Sequence, residues 1–129
     1  MNGVLVDSDI IIEVLRQRNL EVVRRWIGLA ESEEPLFFTP ISLAEIRHGM
    51  RDAEGESIET VFSVMRCVAI GVEIGRRAGD YLRRFHASHG VEIADAIIAA
   101  AASLNSLALW TRNRKHYPMR DVDFFVSPV

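Results

Sequence analysis

Short apolar runs alternate with segments of helical period along this chain. Val4-Leu5-Val6 follows Gly3, is partly β-branched and ends at Asp7, which predicts a buried strand. Ser8 or Asp9 is placed to cap a helix from Ile10 to about Arg16. From about Leu20 to Glu31, Val22, Val23, Trp26, Ile27 and Ala30 recur at helical spacing, and Pro35 closes the acidic turn that follows. Leu36-Phe37-Phe38-Thr39 predicts a second strand. Ser42 and Glu45 have the spacing of a capping box for a helix reaching about Met50. Further helices are expected over about Glu56–Met65, Val72–His86 and Ile93–Asn105, with Gly90 as a break. Cys67–Ile70 and Leu107–Thr111 predict two more strands, and Phe124–Val126 a short fifth.

Strands separated by helices require crossovers, hence one α/β domain with a parallel sheet covered on both faces. In such sheets ligands bind beyond the carboxyl ends of the strands, where the winding reverses. The 129 residues are 49% apolar and 26% charged, ordinary for a globular domain, and the single Cys67 excludes an internal disulfide. No apolar run has the ~18 residues of a membrane span, and the N-terminus lacks the basic start of a signal peptide. The expectation is a cytoplasmic protein that does not enter a membrane. The net charge of -3 disfavours non-specific coating of duplex phosphates but suits an acidic metal site.

Acids stand where the pattern is otherwise apolar. Asp7 ends the first strand, where a plain helix cap is the alternative reading; Ser8 and Asp9 can supply that cap. Glu45 has the capping-box alternative. Asp95 lies in the alanine-rich run Ile93–Ala102, where burial costs a carboxylate its hydration. Its alternative is a first-turn acid facing the helix dipole, which Glu92 satisfies equally. Asn113 follows the fourth strand as either a turn residue or an amide beside the acids. Three carboxylates converging on one rim repel each other. A hard divalent cation, Mg²⁺ or Mn²⁺, relieves that repulsion and supplies metal-assisted phosphoryl chemistry.

The ordered set Val4-Leu5-Val6-Asp7-Ser8-Asp9, Ile41-Ser42-Leu43-Ala44-Glu45-Ile46-Arg47-His48-Gly49, Ile93-Ala94-Asp95-Ala96-Ile97-Ile98-Ala99-Ala100 and Leu109-Trp110-Thr111-Arg112-Asn113 resembles the PIN-domain ribonucleases, in particular VapC-type toxins of bacterial toxin–antitoxin pairs. The resemblance spans nearly the whole chain. It implies a three-layer α/β/α sandwich with a parallel sheet of about five strands in the order 3-2-1-4-5. It implies Asp7, Glu45 and Asp95 as the metal-binding acids, Mg²⁺ or Mn²⁺ as the ion, and hydrolysis of RNA phosphodiesters as the reaction. It also implies a homodimer silenced by a small VapB-like antitoxin.

The chain departs from that pattern in places. Many PIN domains carry a fourth acid where Asn113 stands, and a later position that is often Asp is His116. Asn113 is kept among the catalytic candidates. Ser8, Asp9, Thr111, Arg112 and His116 are supporting candidates, and Arg112, Arg114 and Lys115 are candidates for gripping the RNA backbone. Leu15, Leu20, Val23, Trp26, Val61, Phe62 and Met65 are candidates for an apolar groove that receives an antitoxin helix; ordinary core is the alternative. Two other readings stand beside this one. Asp7-Ser8-Asp9 suggests a phosphohydrolase with Asp7 as nucleophile, although no Gly-Thr follows Asp9. A fold kept without its chemistry would be a silent interaction module.

Overall fold

The computed structural model describes residues 2–126. Strand β1 (Val4–Val6) is wholly buried and central. It pairs in parallel with β2 (Leu36–Phe38) on one side and β4 (Ala108–Trp110) on the other, with Leu5 opposite Phe37 and Leu109. Strand β3 (Arg66–Cys67) adds to the outside of β2, giving the order β3-β2-β1-β4. Gly3 enters this sheet at φ +134, and a Cβ there would stand 2.7 Å from the Pro35 carbonyl oxygen and 2.8 Å from Phe37 Cε2. Only glycine fits both the angle and the space.

Helices cover both faces, as expected of a three-layer sandwich. Alternation along β1 divides the core. Val4 and Val6 face a cluster with Ile10, Ile11, Phe38 and Ile58. Those residues come from β2, α1 (Ser8–Arg16) and α4 (Gly55–Ser63); α2 (Leu20–Ala30) and α3 (Pro40–Gly49) pack on the same side through Val22 and Ile46. Leu5 faces the opposite cluster, built from α5 (Val72–His89) and α6 (Ile93–Leu104). The alanines 96 and 99–102 of α6 have no exposed surface, so this helix lies close against the sheet. Gly90 ends α5 at φ +67 and folds it back onto α6. Among the described residues no helix is long and apolar enough to cross a membrane.

Four expectations need correction. The fifth strand is reduced to an isolated bridge between Leu109 and Phe124, so the sheet has four strands rather than about five. Leu109 donates its N–H to Asp123 O at 2.7 Å and Phe125 donates its N–H to Leu109 O at 2.8 Å, a single parallel bridge beside β4, and the Phe125 ring lies 5.3 Å from that of Trp110. Strand β3 ends at Cys67, not Ile70, because its partner β2 ends where Pro40 opens α3. Helix α3 starts ahead of Ser42: Thr39 is the cap, its Oγ1 accepting from Ser42 N at 3.4 Å, and Pro40 takes the first helical position. The Ser42–Glu45 capping box therefore does not form. Finally, Phe62 and Met65 are core residues, while Leu20 is the member of the expected groove that stands well exposed.

Candidate metal and catalytic centre

Asp7 leaves the end of β1 and is itself the N-cap of α1, the role expected of Ser8 or Asp9. Its Oδ1 accepts the Ser8 N–H at 2.8 Å. Its Oδ2 accepts from Thr111 Oγ1 at 2.9 Å and from Tyr117 Oη at 2.8 Å. Two donors fill the lone pairs of Oδ2, while Oδ1 keeps one free. Three donors thus fix a carboxylate that is only 7% exposed. Such tethering suits a fixed ligand and works against a nucleophile that must swing towards phosphorus.

Asp9, the second residue of α1, is held from the opposite end of the chain. Its Oδ2 accepts the Arg112 backbone N–H at 2.9 Å and the Asn113 side-chain amide at 3.2 Å. Its Oδ1 is buried and has no hydrogen-bond partner. Burial raises the Asp9 carboxyl above its ordinary value, and the charge of Asp7 adds to the effect. Asn113 thus meets the acids as a donor that orients Asp9.

Asp95 occupies the third position of α6. Its Oδ2 accepts the Glu92 N–H at 3.2 Å, so it is part of a capping box after all. The other oxygen stands 3.9 Å from His116 Nδ1, beyond a direct hydrogen bond. Burial is the largest cause raising this carboxyl, followed by the lowering effects of the Glu92 N–H and His116, with Asp7 raising it again. Asp7 therefore acts on both Asp9 and Asp95, and these three acids share one rim.

Glu45 joins through a relay. Ser8 Oγ donates to Glu45 Oε1 at 2.8 Å and stands 3.0 Å from Ser42 Oγ; since a carboxylate only accepts, Ser42 supplies the second hydrogen. Ser8, the residue after Asp7, thus ties the carboxylate of α3 to the same corner.

Arg112 does not reach into this corner. Its guanidinium binds Glu13 Oε1 at 3.1 Å, and Arg18 binds the same oxygen at 3.2 Å. Arg114 lies 4.9 Å above the Phe124 ring. The sequence reading missed Tyr117 and Glu13, both buried. Tyr117 carried no local signal. Glu13 sits within Ile10-Ile11-Ile12-Glu13-Val14-Leu15, and an acid inside an apolar run was the clue available.

The donor chemistry fits a hard divalent cation. Asp7 Oδ1 has a spare lone pair, Asp9 Oδ1 is buried and unsatisfied, and the nearby guanidinium of Arg112 is committed to Glu13. Among the described residues no group of three or more acid, His or Cys side chains is spaced to hold a metal ion as it stands.

The carboxylates of Asp7, Asp9 and Asp95 gather where β1 and β4 end and α1 and α6 begin, at the carboxyl rim of a parallel sheet in an α/β sandwich. The PIN domain profile matches residues 4–124. The chain belongs to the PIN domain family. It is 38% identical over 117 residues to Ribonuclease VapC10 of Mycobacterium tuberculosis, covering 90% of this chain and 86% of the relative. Ribonuclease VapC19 of the same organism is 29% identical over 116 residues, covering 89% and 92%. Among solved structures, VapBC2 from Rickettsia felis bound to a DNA fragment from their promoter superposes with a TM-score of 0.79 at 17% identity, over 95% of this chain and 96% of that one. FitAcB from Neisseria gonorrhoeae gives 0.72 at 26% identity, over 95% and 96%.

Proposed function

We propose that this protein is a divalent-metal-dependent endoribonuclease, the toxin of a cytoplasmic toxin–antitoxin pair. The observation that carries the reading is the set of carboxylates Asp7, Asp9 and Asp95 on one rim, with Glu45 tied to it through Ser8, in a chain 38% identical to a VapC ribonuclease. Its partners in this reading are RNA as substrate, a VapB-like antitoxin and a second copy of itself.

Asp7, Glu45 and Asp95 would hold Mg²⁺ or Mn²⁺, with Asp9 beside them. Such an ion polarises a phosphate oxygen and lowers the pKa of a bound water. The chain's own groups do the rest. Thr111 and Tyr117 hold Asp7 rigid. Asn113 and the Arg112 N–H turn Asp9 so that its bare oxygen is set by two donors on the other. Asp95, raised above its ordinary value by burial, would accept a hydrogen bond from the attacking water and line it up with the scissile P–O bond. The water oxygen would bond to phosphorus as its proton passes to Asp95, the P–O bond to the leaving ribose would break, and the departing oxygen would take up a proton from solvent.

The test is cleavage of end-labelled RNA by purified protein in Mn²⁺, by the same protein in EDTA, and by Asp95→Asn. Cleavage confined to the first sample is expected. Full-rate cleavage by the variant would overturn the assignment of Asp95.

A further inference from the structure

A hollow of about 580 Å³ opens between the second half of α5 and the segment that follows Tyr117. Tyr81, Arg84, Phe85, Met119, Arg120 and Asp121 line it. Its volume is that of a small-ligand pocket, enough for a nucleotide unit. A second hollow, of about 360 Å³, adjoins it through the shared Arg84 and adds Arg83 and Asp80.

The charges here are not self-neutralised. Arg76 and Arg77 are committed, to Glu73 at 3.0 Å and to Asp121 at 3.4 Å. Asp121 also accepts from Tyr81 Oη at 2.8 Å, so each of its oxygens already has a donor. Arg83, Arg84 and Arg120 are exposed and form no ion pair among the described residues. The linings set Arg83, Arg84 and Arg120 against Asp80 and Asp121, and Asp121 is paired with Arg77, so in a protein of net charge -3 the two hollows are a local reversal of sign. Guanidinium forks match phosphate oxygens, and the apolar floor of Phe85 and Met119 suits a sugar or base better than a run of carboxylates.

The hollow is joined to the acid site through the chain. Tyr117 holds Asp7, and the next residues, Pro118 and Met119, form the floor. On the other wall, Tyr81 Oη lies 2.9 Å from Ser103 Oγ, which sets the antiparallel register of α5 against α6. In that register Arg84 lies about five residues, roughly 8 Å of helix, from the level of Asp95. One or two nucleotides span that distance.

We propose that this cleft carries the backbone of single-stranded RNA away from the scissile phosphate, with Arg84 and Arg120 on successive phosphates and Arg83 beyond them. The proposal rests on the ribonuclease reading and supplies its substrate path. It moves the gripping role from Arg112, tied to Glu13, to α5 and the segment after Tyr117.

The experiment is binding of a fluorescein-labelled mixed-sequence single-stranded RNA, in EDTA to prevent cleavage, over a range of salt. Arg84→Gln/Arg120→Gln is compared with wild type and with Arg24→Gln/Arg66→Gln, which loses the same charge elsewhere on the exposed surface. Thermal melts and the Mn²⁺ response of the double variant establish that its fold and acid site are intact. Loss of two phosphate contacts should flatten the slope of log K against log salt by about 1.4 and weaken binding roughly tenfold near physiological salt. The control pair should bind like wild type. Equal loss in the control would assign the effect to net charge and overturn the proposal, as would an unchanged slope in the double variant. Loss of binding to labelled polyglutamate with RNA binding unchanged would assign the cleft to an acidic polypeptide and equally overturn it. A wild type that neither binds nor cleaves RNA sinks the ribonuclease reading itself. A wild type that cleaves RNA beside an unaffected double variant sinks the cleft alone.

Discussion

Tyr117 Oη donates to Asp7 Oδ2 at 2.8 Å, joining residues 110 apart in sequence inside the protein. Burial first, and the charge of Asp7 second, hold the Tyr117 phenol far above its ordinary value. It therefore remains a protonated donor throughout the working range of pH. Tyr117→Phe removes a hydrogen bond to a buried carboxylate and should cost about 1.5–3 kcal/mol in a urea titration. The same variant should cleave RNA more slowly while the RNA is bound as tightly as before, because Asp7 loses one of its three tethers. An unaltered turnover would confine Tyr117 to stability.

Asp9 and Asp95 both have carboxyls raised above the ordinary value of 3.8 by burial. A raised acid binds its proton more tightly in the folded chain than in the unfolded one. Its contribution is complete below pH 3.8 and is lost as the pH climbs through the raised value. At neutral pH each ionised acid works against the fold. Asp95→Asn should therefore melt higher than wild type at pH 7 in EDTA, and the advantage should shrink as the pH is lowered towards 4. A variant that melts lower at pH 7 would show that the capping bond to Glu92 N outweighs the charge.

Mn²⁺ should raise the melting point of the wild type, since binding to the folded state alone adds about 2.7 kcal/mol at one hundred times Kd. The rise should be smaller at pH 5 than at pH 7, because the ion competes with protons for raised carboxyls. It should disappear in Asp7→Asn. Persistence of the full rise in that variant would place the ion elsewhere.

Gly3→Ala tests the entrance to the sheet. The added methyl meets Pro35 O at 2.7 Å with φ at +134, so strain and overlap act together. A loss of roughly 1–3 kcal/mol is expected by chemical denaturation. A neutral outcome would mean that the turn before β1 yields easily.

The architecture was legible where a period or a breaker was strong. β1, β2 and β4 were visible as apolar runs, and Asp7 and Asp95 as acids stranded at their ends or in alanine. What failed was what depends on partners. Thr39 and Ser42 are both good caps three residues apart, and Pro40 at the first helical position decided between them. Phe124–Val126 has strand composition, yet it meets β4 at one residue. Glu13 reads as a polar position of an apolar helix until Arg112, 99 residues later, is seen to lie on it. Tyr117 reads as a loop aromatic for the same reason: its acceptor is at the other end of the chain.

That separation has a meaning for the cell that makes the protein. Thr111 and Tyr117 lie 104 and 110 residues after the acid they hold. A chain still being translated has Asp7 long before the donors that fix it, which are complete only when synthesis has passed residue 117. While residues 8 to 117 are being made the ribosome thus holds no copy in which Asp7 is fixed, and a message cut between residues 95 and 111 yields a chain with its acids but without the donors that hold them.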